Sequence, residues 1–363
     1  MSAHILVNSH ALEHFVHDVY ADAGLSDTDA ALIAKSLVQA DLWNHQSHGV
    51  LRMPWYWERL RRGSMSQSTR IEVVRSKGAV AVLDAQDGVG QVVAKHAMDL
   101  AIEKAKAHGV AAVTVRNSNH FGTLMYYTRM ATEAGCIAFL TSNGGPAMAP
   151  WGGAKRKIIG TNPWSIAAPA AGRPPIMLDM ANTGVARGKI YLARQRREPI
   201  PLGWALDADG APTTDPEAAI NGIILPMAHH KGYAIAALMD VLAGVLSGAQ
   251  FLSGVNGPYH YDKRSGVGHF LTVYDIEAFM DRAEFDARME RFITEIKAQP
   301  LAQGFDEIFY PGEMEALAAE RHLREGLRLP EDTWSDLAEV AREVGLMGVL
   351  DKCQGATSGR AVE

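Results

Sequence analysis

The fold is decided by the stretch Val110–Tyr127, which has the sequence VAAVTVRNSNHFGTLMYY. Its first six residues are small or β-branched and predict a buried strand, and the residues from Phe121 onwards predict a helix. An imidazole, His120, and a glycine, Gly122, therefore lie at a strand-to-helix turn. Ligands of α/β proteins bind at that end of the strands, so the turn is a candidate functional site.

Strands and helices alternate on both sides of this stretch. The predicted strands are 71–74, 80–84, 110–115, 137–141, 176–179 and 269–274, and the predicted helices are 89–108, 121–134 and 231–248. This rhythm predicts a three-layer α/β core with a mostly parallel sheet. The first sixty residues and Glu313–Gly326 have helical periodicity instead. We therefore expect a mainly helical domain of residues 1–70 with 300–350, and an α/β core of residues 71–299.

The composition is that of a globular protein with a large core. Hydrophobic residues make up 47% of the 363 residues and charged residues 21%. The net charge of −6 leaves no basic footprint, so we expect no nucleic-acid partner.

The two cysteines, Cys136 and Cys353, lack CxxC partners. A thiolate zinc site is therefore not expected, and so small a number of cysteines is typical of a reducing cytoplasm. The N-terminal residues lack the pattern of a signal peptide. The longest apolar stretch, Ala234–Leu246, is interrupted by Asp240 and is too short for a bilayer span, so no membrane association is expected.

A partial dinucleotide fingerprint follows the strand that ends at Asp84. Gly88 and Gly90 occupy the first two glycine positions, but Val93 stands where close helix–strand packing requires Gly or Ala. The match is incomplete, which disfavours a phosphate loop of the usual kind.

Ser47, His48 and Arg52 form a second candidate site. On a helical turn His48 and Arg52 would share one face, since they are four residues apart. Arginine offers a planar fork of donors for a carboxylate, and histidine transfers protons near neutral pH. Ser47 can orient the imidazole only where the backbone turns. The alternative for these residues is an exposed helix end, and the alternative for His120 is a turn or cap residue.

Other polar segments flank predicted elements. His230 and Lys231 begin a helix, whose N-terminus favours anions, so phosphate binding is expected there. The adjacent histidines have no third ligand in their spacing, and no metal site is expected. Thr161, Asp179 and the segment Arg187–Lys189 lie near predicted strands as turn residues or ligand contacts.

Together these segments resemble one family. The shared strings, in order, are Ser47-His48-Gly49 with Arg52, Asn117-Ser118 with His120-Phe121-Gly122, Ala149–Gly153, Gly160–Pro163, Asp179-Met180-Ala181, His230-Lys231-Gly232 and Pro311-Gly312-Glu313. From about residue 10 to residue 330 the chain resembles the malate/L-lactate dehydrogenase family of the L-sulfolactate dehydrogenase type. That family includes ureidoglycolate dehydrogenases, 2,3-diketogulonate reductases and reductases of piperideine- and pyrroline-2-carboxylate.

The resemblance implies NAD(P)-dependent hydride transfer between a nicotinamide and a small 2-oxo or 2-hydroxy acid. It implies a three-layer α/β/α, non-Rossmann fold with a mixed sheet, in a homodimer. By resemblance, His48 is the proton donor with Ser47 as its relay, and Arg52 binds the substrate carboxylate. His120 corresponds to the acid/base of some members and to a cofactor contact of others, so both histidines are candidates for the proton donor.

The remaining implied contacts are of two kinds. The implied substrate contacts besides Arg52 are Thr161, Arg187 and Gly188. The implied cofactor contacts are His120, Phe121, Gly122, Thr123, Leu124, Ser142, Asp179, Met180, Ala181, His230, Lys231, Pro311, Gly312 and Glu313.

Three departures from the family pattern bear on specificity. Gly144-Gly145 makes the loop of residues 142–153 looser than usual. Asn182-Thr183-Gly184 stands where many relatives have Thr-Ser-Ala. Phe309, Tyr310 and Met314 surround Gly312 where NADP-preferring relatives carry arginines. NAD is therefore the expected cofactor, with NADP possible. The functional alternatives are a reductase of cyclic 2-imino acids, a metal-dependent hydrolase or lyase built on the histidines, and a catalytically silent binding protein.

Overall fold

The computed structural model describes residues 4–355, apart from the side-chain surroundings at positions 187, 188, 192, 195 and 196. The helices are α1 (Ser9–Asp22), α2 (Asp27–Leu42), α3 (Met53–Arg61), α4 (Gly90–His108), α5 (Met125–Glu133), α6 (Arg187–Arg196), α7 (Pro216–Asn221), α8 (His230–Asp240), α9 (Arg282–Lys297), α10 (Glu313–Glu325), α11 (Glu331–Glu343) and α12 (Met347–Asp351). The strands are β1 (His4–Val7), β2 (Glu72–Lys77), β3 (Val80–Asp84), β4 (Val110–Ser118), β5 (Cys136–Ser142), β6 (Trp164–Ala170), β7 (Arg173–Met180), β8 (Ala205–Leu206), β9 (Pro212–Thr213), β10 (Ile223–Ile224), β11 (Val267–Asp275) and β12 (Leu327–Pro330).

The main sheet is mixed, with the strand order β2-β3-β4-β11-β5-β6-β7. Within the described residues, β3 and β4 are its only parallel neighbours. The expectation of a mostly parallel sheet is therefore wrong, whereas the mixed sheet implied by the resemblance is confirmed. The physical reason is β11, which lies between β4 and β5 and runs antiparallel to both. The helical crossovers do make β3, β4 and β5 point the same way, but a strand from much later in the chain separates the last two.

Helices cover both faces of this sheet. Met177 of β7 packs in the same apolar cluster as residues of α4 and α5. Its neighbour Ile176 packs instead with Ile293 of α9. Successive strand residues point to opposite faces, so these helices form two outer layers. The three-layer prediction is confirmed.

Segments from both ends of the chain share another core. Leu12 of α1, Leu37 of α2 and Leu337 of α11 are buried in one cluster, beneath the antiparallel pair β1–β12. Ser26 caps α2, as its sequence predicts, by accepting from the Asp29 N–H. Sequence reasoning missed the short strands β1 and β12. The proposed division into residues 1–70 with 300–350 and residues 71–299 stays a prediction. Within residues 4–355, no helix has the length and apolarity needed to cross a membrane.

Candidate active site

Two consecutive 3-10 turns, Gln46–His48 and Val50–Arg52, position the first group of site residues. The tight backbone brings neighbouring side chains together, and Ser47 Oγ is hydrogen-bonded to His48 Nδ1 at 2.9 Å. Arg52 Nε donates to the carbonyl oxygen of Ser47 at 2.6 Å. The structure therefore joins the three residues that the sequence predicted as one group.

Gly49 separates the two turns because a buried carboxyl group lies against it. A Cβ atom at position 49 would lie 2.0 Å from Asp41 Oδ1, which leaves room only for glycine. Asp41 Oδ2 accepts the Val50 N–H at 2.8 Å. Burial raises the pKa of Asp41 to about 8, so most of this group is protonated at neutral pH. Asp41, which sequence reasoning missed, fixes the backbone beside His48.

The His120 ring stacks on the His48 ring, with centroids 5.6 Å apart and planes inclined by 19°. The Gly122 N–H donates to His120 Nδ1 at 3.3 Å, which assigns the unprotonated nitrogen. The Tyr56 hydroxyl donates to the same atom at 2.5 Å. The neutral His120 ring therefore carries its proton on Nε2.

The stacked rings are held neutral by their surroundings. Burial, and then the positive charge of Arg52, lowers the pKa of His48 to about 3. Burial, and then positive charge on His48 and Arg52, lowers the pKa of His120 well below its usual range. Two cationic rings this close repel each other, so at most one of them carries an added proton.

Arg52 is positioned to bind an anion. Its guanidinium stacks over the Trp55 ring, with Cζ 4.2 Å from the centroid. Burial lowers its pKa, yet arginine keeps its charge at any physiological pH. Its Nε donates to the Ser47 carbonyl oxygen, while neither Nη group has an acceptor among the described residues. The fork of the guanidinium is thus left for a ligand.

The glycines of the partial fingerprint hold the His120 turn. A Cβ at Gly90 would lie 2.4 Å from the His120 carbonyl oxygen, so α4 begins in direct contact with this turn. Asn119 Nδ2 donates to the Gly88 carbonyl oxygen at 2.9 Å, and buried Arg59 donates to Asn119 Oδ1 at 3.1 Å. Glycine is required here for protein packing, which agrees with the failed dinucleotide fingerprint.

Residues after His120 meet the end of β7. Asp179 Oδ2 accepts the Met125 N–H at the start of α5, at 2.9 Å. Burial raises the pKa of Asp179 to about 6. Thr123 and Leu124, which precede Met125 in the sequence, are both buried. Within residues 4–355, Thr123 Oγ1 has no hydrogen-bond partner. This orphaned hydroxyl is suited to a polar ligand such as a dinucleotide.

Asn182, a departure from the family pattern, connects two further segments. Its Nδ2 donates to the Asn162 carbonyl oxygen at 2.5 Å, and its N–H donates to the Thr161 carbonyl oxygen at 3.0 Å. Its own carbonyl oxygen accepts the Met227 N–H at 2.9 Å. A Cβ at Gly232 would lie 2.4 Å from the Met227 carbonyl oxygen, so the N-terminal turn of α8 is packed against this connection. Asn182 therefore has a structural role between Thr161 and α8, next to Met180 and Ala181.

The outer predicted contacts have different environments. His230 and Lys231 are exposed at the N-terminus of α8, and the Trp151 ring lies 6.1 Å from the His230 ring. Glu313 is bound to Lys297 Nζ at 2.5 Å, and the Pro311 carbonyl oxygen accepts the Met177 N–H at 3.0 Å.

The Pro311–Glu313 segment is therefore attached to β7 by Pro311, and Gly312, which has a φ of 93°, lies so close to β7 that a Cβ there would be 2.7 Å from the Pro175 carbonyl oxygen. None of its hydrogen bonds or ion pairs among the described residues is to His48 or His120.

Two predicted substrate contacts lie at the start of α6. Arg187 and Gly188 begin α6, and their side-chain surroundings lie outside the described part of the structure. Among the described residues, no group of three or more His, Cys, Asp or Glu side chains is arranged to hold a metal ion.

Sequence reasoning missed four residues that shape the site: Asp41, Tyr56, Arg59 and His269. Tyr56 lies one turn beyond Arg52, so helical spacing was a usable signal for it. His269 lies on a predicted strand, yet its partners Ser118 and Ser142 belong to two other strands. Only the strand order brings these three residues together.

Comparison with known proteins identifies the family. Residues 7–338 match the family described as malate/L-lactate dehydrogenase. The chain belongs to this family. It is thus an oxidoreductase, and the resemblance noted in the sequence is confirmed.

Several individual proteins are similar to this chain over nearly their whole length. A malate dehydrogenase of Pyrococcus abyssi is 39% identical over 343 residues, which cover 92% of this chain and 94% of the relative. The solved sulfolactate dehydrogenase of Methanocaldococcus jannaschii is 37% identical, with a TM-score of 0.88, and the match covers 94% of this chain and 98% of that one. A Δ1-piperideine-2-carboxylate reductase structure from Pseudomonas syringae is 27% identical, with a TM-score of 0.82, covering 93% and 99%.

Proposed function

We propose that the protein is a nicotinamide-dependent dehydrogenase that interconverts small 2-oxo and 2-hydroxy acids, with NAD as its cofactor. The observation that carries this proposal is the juxtaposition of Arg52, whose Nη groups are free, with the stacked His48 and His120 rings. An anion-binding fork beside a proton-transfer group is what reduction of a 2-oxo acid requires of the protein.

Arg52 would bind the substrate carboxylate through its two Nη groups. Because Nε is fixed by Ser47, the guanidinium is held in one orientation before the substrate arrives. The adjacent carbonyl group would then face the histidine pair, with Thr161, Arg187 and Gly188 as further substrate contacts.

His48 or His120 would deliver the proton to the carbonyl oxygen. The nicotinamide supplies the hydride when it is bound, so the protein contributes orientation and the proton. Burial, and then the charge of Arg52, lowers the pKa of His48, and a bound carboxylate would offset the charge of Arg52. Substrate binding would therefore raise the pKa of His48 and promote proton uptake, with Ser47 as the relay to Nδ1.

The dinucleotide would contact groups around the ends of β4, β5 and β7 and at the starts of α8 and α10. The proposed contacts are His120, Phe121, Gly122, Thr123, Leu124, Ser142, Asp179, Met180, Ala181, His230, Lys231, Pro311, Gly312 and Glu313. Lys231 adds positive charge at a helix N-terminus, which favours phosphate. Near Gly312, the exposed residues Phe309 and Met314 stand where NADP-preferring relatives carry arginines, so a 2′-phosphate would meet apolar side chains at those two positions. This favours NAD over NADP.

A homodimer in the cytoplasm is part of the same proposal. An apolar stripe is exposed on α8 and the π-helical turn that follows it: Leu238 is 61% exposed, Val241 46% and Val245 55%. Leu246 and Phe251 extend it, and a contiguous patch of this kind is typical of a subunit interface. Both cysteines are buried free thiols, as suits a reducing compartment.

Reduction of cyclic 2-imino acids is the second candidate function. The structural similarity to a piperideine-2-carboxylate reductase supports it, since those substrates also carry a carboxylate next to the group that is reduced. Arg52 and the histidine pair would act on a C=N bond in the same way.

A substrate panel tests both candidates. The purified protein is assayed with 2-oxo acids and cyclic 2-imino acids, each with NADH and NADPH, before and after treatment with a chelator. We expect turnover of a 2-oxo acid with NADH, unaffected by the chelator. Turnover of imino acids alone would select the second candidate. Equal or higher efficiency with NADPH would contradict the NAD preference, and failure with every acid and both nucleotides would contradict the proposed function.

A further inference from the structure

His269 is a buried histidine that the proposed chemistry does not use. It lies on β11, between β4 and β5, and is only 1% exposed. Its Nδ1 is hydrogen-bonded to Ser142 Oγ at 2.9 Å, and its Nε2 to Ser118 Oγ at 2.8 Å. One imidazole thus joins three neighbouring strands at the end of the sheet where the site lies.

The sheet is irregular where this bridge forms. On β5, His269 is the direct partner of Ser142. On β4 the pairing shifts between Val267 and His269, so that Ser118 pairs with Val267 and yet reaches the His269 ring. Bulges of this kind redirect side chains near functional sites.

The direction of each hydrogen bond follows from the available acceptors. Ser142 Oγ lies 3.2 Å from the carbonyl oxygens of Asn143 and Gly268, which can only accept, so its single proton is directed to one of them. Ser142 Oγ must then accept from His269, which places the imidazole proton on Nδ1. The unprotonated Nε2 accepts from the hydroxyl of Ser118. The result is a one-way chain from Ser118 through His269 to Ser142.

His269 also contacts the His120 turn. The Phe121 ring meets the His269 ring edge to face, with centroids 4.5 Å apart and planes at 89°. Tyr127 also contacts Phe121, and its hydroxyl donates to the Phe121 carbonyl oxygen at 2.8 Å. Two of the proposed dinucleotide contacts, Ser142 and Phe121, therefore meet at a single side chain.

We propose that His269 is a positioning residue for the nicotinamide cofactor, acting through the Nδ1–H bond that orients Ser142 and through its contact with Phe121. This inference rests on the proposed function. The bridge fixes the Ser142 hydroxyl group and the Phe121 ring relative to each other before the dinucleotide binds.

The neutral state of His269 suits this role. Burial lowers its pKa to about 3, so the ring keeps the same proton and the same two bonds across the physiological pH range. A charged His269 would also lower the pKa of His120. The bridge thus adds no positive charge next to the proposed proton donors.

Two amide substitutions separate the two ends of the ring. In His269→Asn the side-chain amide nitrogen takes the place of Nδ1 and can still donate to Ser142, whereas nothing reaches Ser118. In His269→Gln the amide oxygen takes the place of Nε2 and can still accept from Ser118, whereas the bond to Ser142 is lost. Both variants replace the ring, so they differ in which hydrogen bond survives.

The test is an NADH titration by nicotinamide fluorescence, with kcat and the KM of the 2-oxo acid measured alongside. Loss of one buried hydrogen bond predicts a Kd for NADH about 3- to 10-fold higher in His269→Gln than in His269→Asn. The KM of the 2-oxo acid should be unchanged in both. His322→Asn, which alters a histidine bonded to the Leu42 carbonyl oxygen outside the site, is the control and should keep the wild-type Kd.

The outcomes separate this inference from the proposed function. Absence of NADH binding by the wild type overturns the proposed function and this inference with it. Binding by the wild type, with equal Kd values for the Asn and Gln variants or with the larger loss in Asn, overturns this inference alone.

If neither variant folds, as judged by circular dichroism, the wild type itself provides the test. The ¹⁵N shifts of its histidine rings must include a buried neutral ring protonated on Nδ1 that responds to NADH. A His269 ring protonated on Nε2, or one indifferent to NADH, overturns the inference.

Discussion

Two regions of the molecule use histidine beside a cation in opposite ways. At the base of the site, His48 and His120 are stacked near Arg52, and their pKa values are lowered by burial. At the N-terminus of α8, His230 and Lys231 are exposed next to Trp151. We propose that the environment decides the role of each group, because a desolvated imidazole can gain or release a proton when charge nearby changes, whereas an exposed cation at a helix end can attract phosphate.

The largest effect is expected from removing the proton donor. We expect His48→Asn or His120→Asn to lower kcat by about 10²- to 10⁴-fold, whichever residue is the general acid. Steady-state kinetics across pH 5–9 identify it, since the pH profile should change only in that variant. His17→Asn, which alters a half-buried histidine of α1 bonded to Asp18 and Asp27, is the control. Normal turnover in both site variants would contradict a role of the pair in proton transfer.

The next effect concerns the carboxylate contact. Arg52→Lys keeps the charge but loses the planar fork, so we expect kcat/KM for 2-oxo acids to fall by about 10- to 100-fold. The Kd for NADH should stay within about twofold, because the lost contacts are with substrate. Arg62→Lys, which alters an exposed ion pair, serves for comparison. Unchanged kinetics in Arg52→Lys would remove Arg52 from the site.

A smaller effect is expected from removing Lys231 at the exposed N-terminus of α8. Lys231→Ala should raise the Kd for NADH about 3- to 10-fold through loss of one charge near phosphate, with little change in kcat. Added salt should reduce the difference from the wild type. Lys95→Ala, whose lysine is paired with Asp99 on the surface, is the matched control. A Kd that Lys231→Ala leaves unaltered would place the phosphates elsewhere.

The smallest effect on activity is expected from Asp41→Asn, which alters the buried carboxyl group next to the His48 turn. For this variant the measured quantity is the free energy of unfolding. The pKa of Asp41 is raised from 3.8 to about 8, so the folded protein binds a proton that the unfolded chain releases between these values. The stability of the wild type relative to Asp41→Asn should therefore fall as pH rises from 4 to 8 and level off above 8, by about 6 kcal/mol in total for a pKa change of this size. Urea unfolding of both proteins at several pH values measures this. A difference independent of pH would mean that Asp41 is not protonated in the fold.

The sequence predicts the elements around the site better than their arrangement. Periodicity located the strand before His120 and the helices on either side, and the spacing of Ser47, His48 and Arg52 indicated one group. Periodicity carries no information on which strand lies beside which, and β11 came from about 150 residues after β4 to separate β4 from β5. The mostly parallel sheet was therefore wrong.

The same limit applies to buried partners. Tyr56 was within reach of helical spacing from Arg52, but Asp41, Arg59 and His269 act through contacts across the fold. Gly49 and Gly90 are misleading in the sequence alone, where they suggest a turn and a phosphate loop. In the structure each glycine makes room for a group from another segment, Asp41 at Gly49 and the His120 carbonyl oxygen at Gly90. Such requirements appear only once the backbone is in place.

The most direct test of the contrast between the two regions is an NADH titration of His48→Asn, followed by nicotinamide fluorescence. His48 is not among the proposed dinucleotide contacts, and this separation of proton transfer from dinucleotide binding predicts a Kd for NADH within about twofold of the wild-type value. A loss of NADH affinity as large as that of Lys231→Ala, or larger, would contradict this separation.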